Sequence, residues 1–474
     1  MCKTEDLYQY NDFNNLLNNL NVVLRNISEY NTKFNAFCRV YEDDAKLSIN
    51  KLSEKIIHDI INDSDNRYPL AGMIIGIKDL FCYKGHITQA GSKILENFIP
   101  DYNAAVVDML LSAGGTIIGH QNCDEFGMGS SNTNTIYGVT HNFLDYNRTT
   151  GGSSGGSALS VQANMCHVSL GTDTGGSIRQ PASYCGIIGF RPSYGVISRY
   201  GVIAHSSSFD TVGILGKRIS DIIDVFNVIS IYDIKDSSMV DYKKLNTQLC
   251  NINSNSKLCI LNNLLDLSIL QEEVKDGIKN AIDIISKSFT IYEENIENVD
   301  LCSSVYFTLT TIEASSNLSR YTGINYGYRT KEYSNFDEMI IKTRTEGFGA
   351  EVKKRIFIGN YLLETNSENK YIDKALNLRE KFRRRFDEMF RKYDFIILPI
   401  TSTTAFFINE GLEDNNSFWD DNFATLASIV GYPAISIPCG VDNNNMPFGI
   451  QIIGNKYKDN ELLEFADKIV KLLK

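Results

Sequence analysis

No run of this 474-residue chain approaches the eighteen or so consecutive apolar residues that a membrane-spanning helix needs, so no such helix is expected. The first residues, MCKTED, are acidic and lack an apolar signal core, and secretion is not expected either. Ten cysteines occur without a single C-x-x-C pair, which points to reduced, mostly buried thiols in a reducing compartment. The six histidines (His58, His86, His120, His141, His167 and His205) show no H-E-x-x-H spacing and no acid placed for metal binding. They read as surface or satisfied core residues, and no metal is expected. Positive charge is also scarce: 46 Lys and Arg against 57 Asp and Glu leave a formal charge of −11, which argues against extensive direct contact with phosphates. The one basic cluster, Lys381, Arg383, Arg384, Arg385, Arg391 and Lys392, is interleaved with Phe382, Phe386, Met389 and Phe390 at helical spacing. It reads as an amphipathic helix with a solvated basic face. Linker-like composition is confined to the polar tract Asn246 to Lys257, so one domain over residues 1–474 is expected despite a length that would allow about three.

What the chain does have is glycine and serine in two beds. GGSSGGSA (151–158) is followed, after an apolar segment, by GTDTGGSIRQP (171–181). Glycines let the backbone approach a reacting atom and let successive N–H groups converge on a developing negative charge. Cys166 to Leu170 reads as a short strand, Gly171 to Gly176 as a tight turn, and Ser177 as the start of a helix, where free N–H groups favour negative charge. Upstream, IIGIKDL (74–80) is an apolar β-like run that delivers Lys78 to a place where it can be kept dry. Two rival motifs fail. The G-x-S-x-G pattern at 151–155 lacks the buried strand that should precede it, since 145–150 is DYNRTT. A phosphate loop would need lysine after Gly156, where Ser157 stands. Cys185 lies in an apolar run and reads as core packing rather than as a nucleophile.

Lys78, GGSSGGSA and DTGGSIRQPA, in that order, resemble the amidase signature family, and the 24-residue gap between the two serines agrees with it. The resemblance implies a Ser-cisSer-Lys triad: Ser177 as nucleophile, Ser153 as bridging serine after a cis Gly152–Ser153 peptide, and Lys78 as base. It implies an oxyanion hole made by the backbone N–H groups of Thr174, Gly175, Gly176 and Ser177. Asp173 and Arg179 match the family as supporting residues around the site. The chemistry is coherent without histidine, because a lysine kept neutral by desolvation can remove a serine proton. The implied fold is α/β, a mixed, mostly parallel sheet wrapped by helices, with a helical cap over roughly residues 240 to 370.

Further motifs at 93–107, 124–138, 313–329 and 351–361 resemble, within that family, the A-type subunits of glutamyl-tRNA(Gln) amidotransferases. This resemblance implies a glutaminase whose ammonia converts Glu-tRNA(Gln) to Gln-tRNA(Gln) in a partner. A pocket for free glutamine needs a cation and an anion. Arg355 matches the carboxylate-binding arginine, Asp421 the ammonium-binding aspartate with Asp420 as the competing assignment, and Tyr306 a pocket tyrosine. Implied partners are a B-type subunit that binds tRNA and uses ATP and magnesium, and a small C-type or fungal-type subunit; no cofactor is expected in this chain. The divergent N-terminus and Asn-rich loops suggest the mitochondrial matrix, with bacterial cytoplasm as the alternative. Departures from the pattern are GHQNCD at 119–124, Ala424 where threonine is usual, and a short N-terminal helix. The alternatives are a free-standing amidase for small or lipid amides and a non-catalytic scaffold; the intact Lys78, Ser153 and Ser177 argue against the second.

Overall fold

The computed structural model describes residues 16–61, 68–245, 256–410 and 414–474. The acidic N-terminal residues, His58 and most of the tract 246–257 therefore lie outside the described residues or side chains. The strands are β1 (Phe37–Val40), β2 (Ile74–Lys78), β3 (Thr116–Gln121), β4 (Val168–Asp173), β5 (Ile188–Arg191), β6 (Thr211–Gly216), β7 (Lys257–Leu261), β8 (Thr290–Glu294), β9 (Phe395–Pro399), β10 (Ala434–Val441) and β11 (Pro447–Gly454). They form one sheet in the order β1-β3-β2-β4-β6-β5-β10-β11-β9-β7-β8.

The expected mixed sheet with helices around it is present, but its predominance of parallel pairs is not. Four pairs are parallel (β2 with β3 and β4, β7 with β8 and β9) and six are antiparallel. For one antiparallel pair the reason is connection length. β10 returns directly into β11 through Asp442–Met446, where Asp442 Oδ1 accepts the N–H groups of Asn444 and Met446. So short a connection joins only antiparallel neighbours.

The parallel trio β3-β2-β4 positions the site. β2 is buried along its whole length, as a central strand with both faces covered should be. Its side chains alternate: Ile75 and Ile77 enter one core cluster and Ile74 the other. Lys78 falls on the Ile74 face by the two-residue period, the face covered by helix Gly155–Gln162. Ile77 pairs with Leu170 of β4, and Lys78 with Gln121 of β3. The residues that follow β3 and β4 therefore emerge beside Lys78, at the carboxyl ends of parallel strands, where open α/β sheets bind ligands.

Tertiary pairing also moves the strand predicted over 166–170. β4 runs on to Asp173 because Thr172 and Asp173 pair with Val212 and Thr211 of β6. Helix Arg179–Cys185 begins two residues after Ser177. Only the second part of the stretch expected as a cap over 240–370 forms one: 257–294 adds β7 and β8 to the sheet, and helix Glu272–Ser286 packs into the sheet core. The cap itself comprises helices Cys302–Asn317, Phe336–Gly347 and Ala350–Asn369. Helix Tyr371–Met389 buries Phe382, Phe386 and Met389 and pairs Arg383 and Arg384 with Glu380 at its surface, the amphipathic arrangement read from the spacing.

Candidate active site

Lys78 is fully buried, and its Nζ lies 2.7 Å from Ser153 Oγ, 3.0 Å from Ser154 Oγ and 3.0 Å from Thr172 Oγ1. Burial pushes its pKa down to about 8, against the smaller opposing influence of Cys123, Asp124, Asp210 and Asp173. The Ser154 hydroxyl spends its proton on the Thr172 carbonyl, so toward the amine it can only accept. The Ser153 hydroxyl has no other hydrogen-bond partner among the described residues, which leaves its proton free for a neutral lysine. The Gly152–Ser153 peptide is cis, as the resemblance implied. Asp124 braces this bed: its carboxylate accepts the N–H groups of Asn132 and Asn134, each at 3.0 Å, and its own N–H donates to the Ser153 carbonyl.

Above this layer opens a cleft of about 620 Å³, whose wall includes Gly152, Gly175, Gly176 and Ser177. The Ser177 hydroxyl has no protein hydrogen-bond partner among the described residues. The turn that presents it is held from behind. Asp173 receives the Arg179 guanidinium on both oxygens (3.0 Å each) and Arg191 at 3.0 Å, all three side chains being fully buried. Burial would raise the Asp173 pKa, but the two guanidiniums overcome it and hold the carboxyl well below the usual range. Arg179 also donates to Gln451 and Ser428, tying the turn to β11 and to helix Asp414–Val430. Asp173 and Arg179 thus support the site from outside the cleft.

One expected donor is corrected. The Gly176 N–H donates to Asp173 Oδ1 at 2.9 Å and is not free for an oxyanion. The turn needs an anchor at its base, and this amide supplies it together with the Ile178 N–H, which binds Asp173 Oδ2. The amides of Thr174, Gly175 and Ser177 have no protein acceptor among the described residues. Of these, Gly175 and Ser177 belong to the cleft wall, while the Thr174 hydroxyl is turned to Asp210 at 2.7 Å.

The far wall comes from the cap. Tyr306, on helix Cys302–Asn317, rests on Gly175 so closely that a Cβ there would sit 2.5 Å from its ring. Arg355, on helix Ala350–Asn369, gives its Nε to Glu351 Oε1 at 3.1 Å. Its two terminal nitrogens have no hydrogen bond among the described residues. Asp421 also lines the cleft; it is open to the cleft's water yet enclosed by protein, and that enclosure raises its pKa to about 6 against the opposing pull of Arg355. Asp420 is committed elsewhere, accepting the Tyr184 hydroxyl at 2.9 Å and the Ser402 N–H. Geometry therefore favours Asp421 over its neighbour as the free anion.

All the residues singled out for the triad and the pocket converge on this cleft or directly beneath it. Sequence reasoning missed Ser154, Thr172, Asp124, Glu351 and Arg191. Ser154 was within reach as the neighbour of Ser153; nothing in the sequence marks Arg191. The expectation that every core histidine is satisfied fails at His205, whose ring nitrogens are buried without a partner among the described residues. Burial, with Arg355 and Lys78 nearby, keeps that ring neutral. Cys185 is buried in a core cluster and its thiol is pushed up by burial, as its apolar surroundings implied. No group of acids, histidines and cysteines that could hold a metal occurs among the described residues.

A protein-family model described as Amidase matches residues 18–463. The A-type subunit of glutamyl-tRNA(Gln) amidotransferase from Lachnospira eligens is 42% identical, covering 83% of this chain and 83% of that protein. The protein of the same description from Prochlorococcus marinus is 38% identical over 93% of this chain and 91% of its own length. Among solved structures, the A-type subunit of glutamyl-tRNA(Gln) amidotransferase from Thermotoga maritima superimposes with a TM-score of 0.75 at 29% identity, covering 97% of this chain and 94% of that one.

Proposed function

The chain belongs to the amidase family, and from that premise we propose that it is the glutaminase subunit of a glutamyl-tRNA(Gln) amidotransferase, as its relatives' names describe. The observation that carries the substrate is the pairing, in one cleft, of an arginine with two free terminal nitrogens and an unpaired carboxylate, beside Ser177. Free glutamine needs both charges at one end; an apolar amide would have to strip water from them for no return.

Ser177 Oγ attacks the side-chain amide carbon, and its proton passes through Ser153 to neutral Lys78. The N–H groups of Gly175 and Ser177 stabilise the oxyanion that forms. Collapse breaks the C–N bond, and the proton held on Lys78 returns through Ser153 to the leaving nitrogen as ammonia departs. Water then attacks the ester, the same relay taking its proton and giving it back to Ser177, and glutamate is released. Arg355 receives the α-carboxylate and Asp421 the α-ammonium, with Tyr306 closing the wall.

The ammonia is consumed by a B-type partner that binds tRNA and uses ATP and magnesium, with a small C-type or fungal-type subunit completing the complex. The net charge of −11 supports leaving the tRNA to that partner. The complex resides in a reducing compartment, the mitochondrial matrix or else a bacterial cytoplasm; the eight described cysteines, all unbridged, support this. The test is ammonia release by the co-purified complex from L-glutamine, L-asparagine and a small apolar amide, with Ser177→Ala as control. Glutamine-selective release abolished by the substitution is expected. Release mainly from the apolar amide would refute the proposal.

A further inference from the structure

The residues Asp124 and Glu125, just after β3, send their carboxylates to two different parts of the molecule. Asp124 braces the bed of Ser153, as described above. Glu125 reaches into the cap: its carboxylate accepts the Gly349 N–H with both oxygens, at 3.1 and 2.9 Å. Gly349 is the residue that caps helix Ala350–Asn369. A Cβ on Gly349 would lie 2.3 Å from Glu125 Oε2, so glycine is what lets the carboxylate sit over the helix end. Ser92 donates its hydroxyl to the same carboxylate. The side chain is buried, with Glu125 only 5% exposed. A carboxylate there satisfies an otherwise orphaned amide and meets the positive end of the helix dipole.

This contact matters because it fixes the N-terminal end of the helix, whose packing on helix Cys302–Asn317 is closest further along, where Gly359 meets the Thr311 carbonyl and Ser315 donates to Asn360. Of its 20 residues only Val352 and Gly359 are buried. Yet the helix carries Glu351 and Arg355 into the cleft, and Arg355 lies six residues, roughly 9 Å of rigid helix, beyond the clamp. Through two adjacent residues, the bridging serine and the candidate carboxylate-binding arginine are referenced to one point after β3.

We propose that Glu125 is a positioning residue that fixes Arg355 relative to Ser177 and so sets recognition of the α-carboxylate, not the chemistry; this rests on the glutaminase reading. In the whole complex, Glu125→Gln should raise KM for glutamine about fivefold, as expected for exchanging a charge-assisted hydrogen bond for a neutral one. It should leave kcat within about twofold and leave hydrolysis of propionamide, which has no carboxylate, unchanged. In an Arg355→Ala background the same substitution should add nothing to KM. Equal loss with both substrates, or an unchanged KM, would overturn the proposal. Hydrogen exchange at amides 349–355 reads the clamp without substrate: faster exchange in the variant supports it and unchanged exchange overturns it, even if the wild type does not hydrolyse glutamine. Glu125→Gln keeps the shape of the side chain, so the test stands if Glu125→Ala fails to assemble.

Discussion

The base of the triad sets a pH dependence that the structure makes quantitative. Lys78 is driven from its ordinary value of 10.5 down to about 8. At pH 7 roughly one molecule in ten then carries the neutral amine, against about one in three thousand for an unperturbed lysine, a gain of about 300-fold in competent enzyme. The second-order rate constant kcat/KM reports the free enzyme. For an apolar amide it should rise about tenfold from pH 6 to 7 and level off above pH 8 to 9, with a slope of one proton. For glutamine a second proton should enter below about pH 6, where Asp421 loses its charge. The same shift has a stability signature. The unfolded chain binds more protons than the folded one between about pH 8 and 10.5, so stability should rise with pH across that window. Below pH 8 the full penalty, about 3 kcal/mol, is in force. Lys78→Met should abolish hydrolysis and remove this slope, with the three stranded hydroxyls offsetting part of the gained stability. The assays are initial rates of ammonia release from pH 5 to 10.5 and denaturant midpoints from pH 7 to 10.5. A flat rate profile over that range, or an inflection near 10, would refute the idea that a desolvated Lys78 is the base.

Arg355→Ala should raise KM for glutamine at least about tenfold and spare propionamide, since a lost hydrogen bond to a charged group costs about 1.5–3 kcal/mol; equal effects on both amides would contradict its role. Asp421→Asn should likewise weaken glutamine, whereas Asp420→Asn replaces one acceptor oxygen by a donor, leaves the Tyr184 hydroxyl or the Ser402 N–H without its acceptor, and should lower the melting temperature while KM stays unchanged, a contrast steady-state kinetics and calorimetry resolve. Asp173→Asn leaves two buried guanidiniums uncompensated and should cost about 3–5 kcal/mol in urea unfolding. Gly176→Ala places a Cβ 2.4 Å from that of Ala424 at a φ of +121°, and should reduce kcat at least about a hundredfold by displacing the turn that holds Ser177; near-normal turnover would show that the turn tolerates the shift.

Much of the site was written in local sequence because local geometry builds it. The run IIGIK is apolar enough to be a central strand, and the two-residue alternation puts Lys78 on one face of it. The two glycine beds needed only the absence of side chains to bring Ser153 against it and Ser177 into the wall of the cleft. What sequence could not supply came from partners far along the chain. Strand direction was settled by which strands met: β6 lies antiparallel between β4 and β5, so the sheet is less parallel than expected. Thr172 became a partner of Lys78 only because pairing with β6 extends β4. The Gly176 amide was withdrawn from the oxyanion hole by Asp173, whose charge is in turn balanced by Arg191 from the next strand. Adjacent aspartates, alike as letters, were separated when Tyr184 and Ser402 claimed Asp420 and left Asp421 to the cleft. Residue type and spacing fix which groups a short segment can present; which of their hydrogen-bonding atoms remain free is decided only when distant segments meet them.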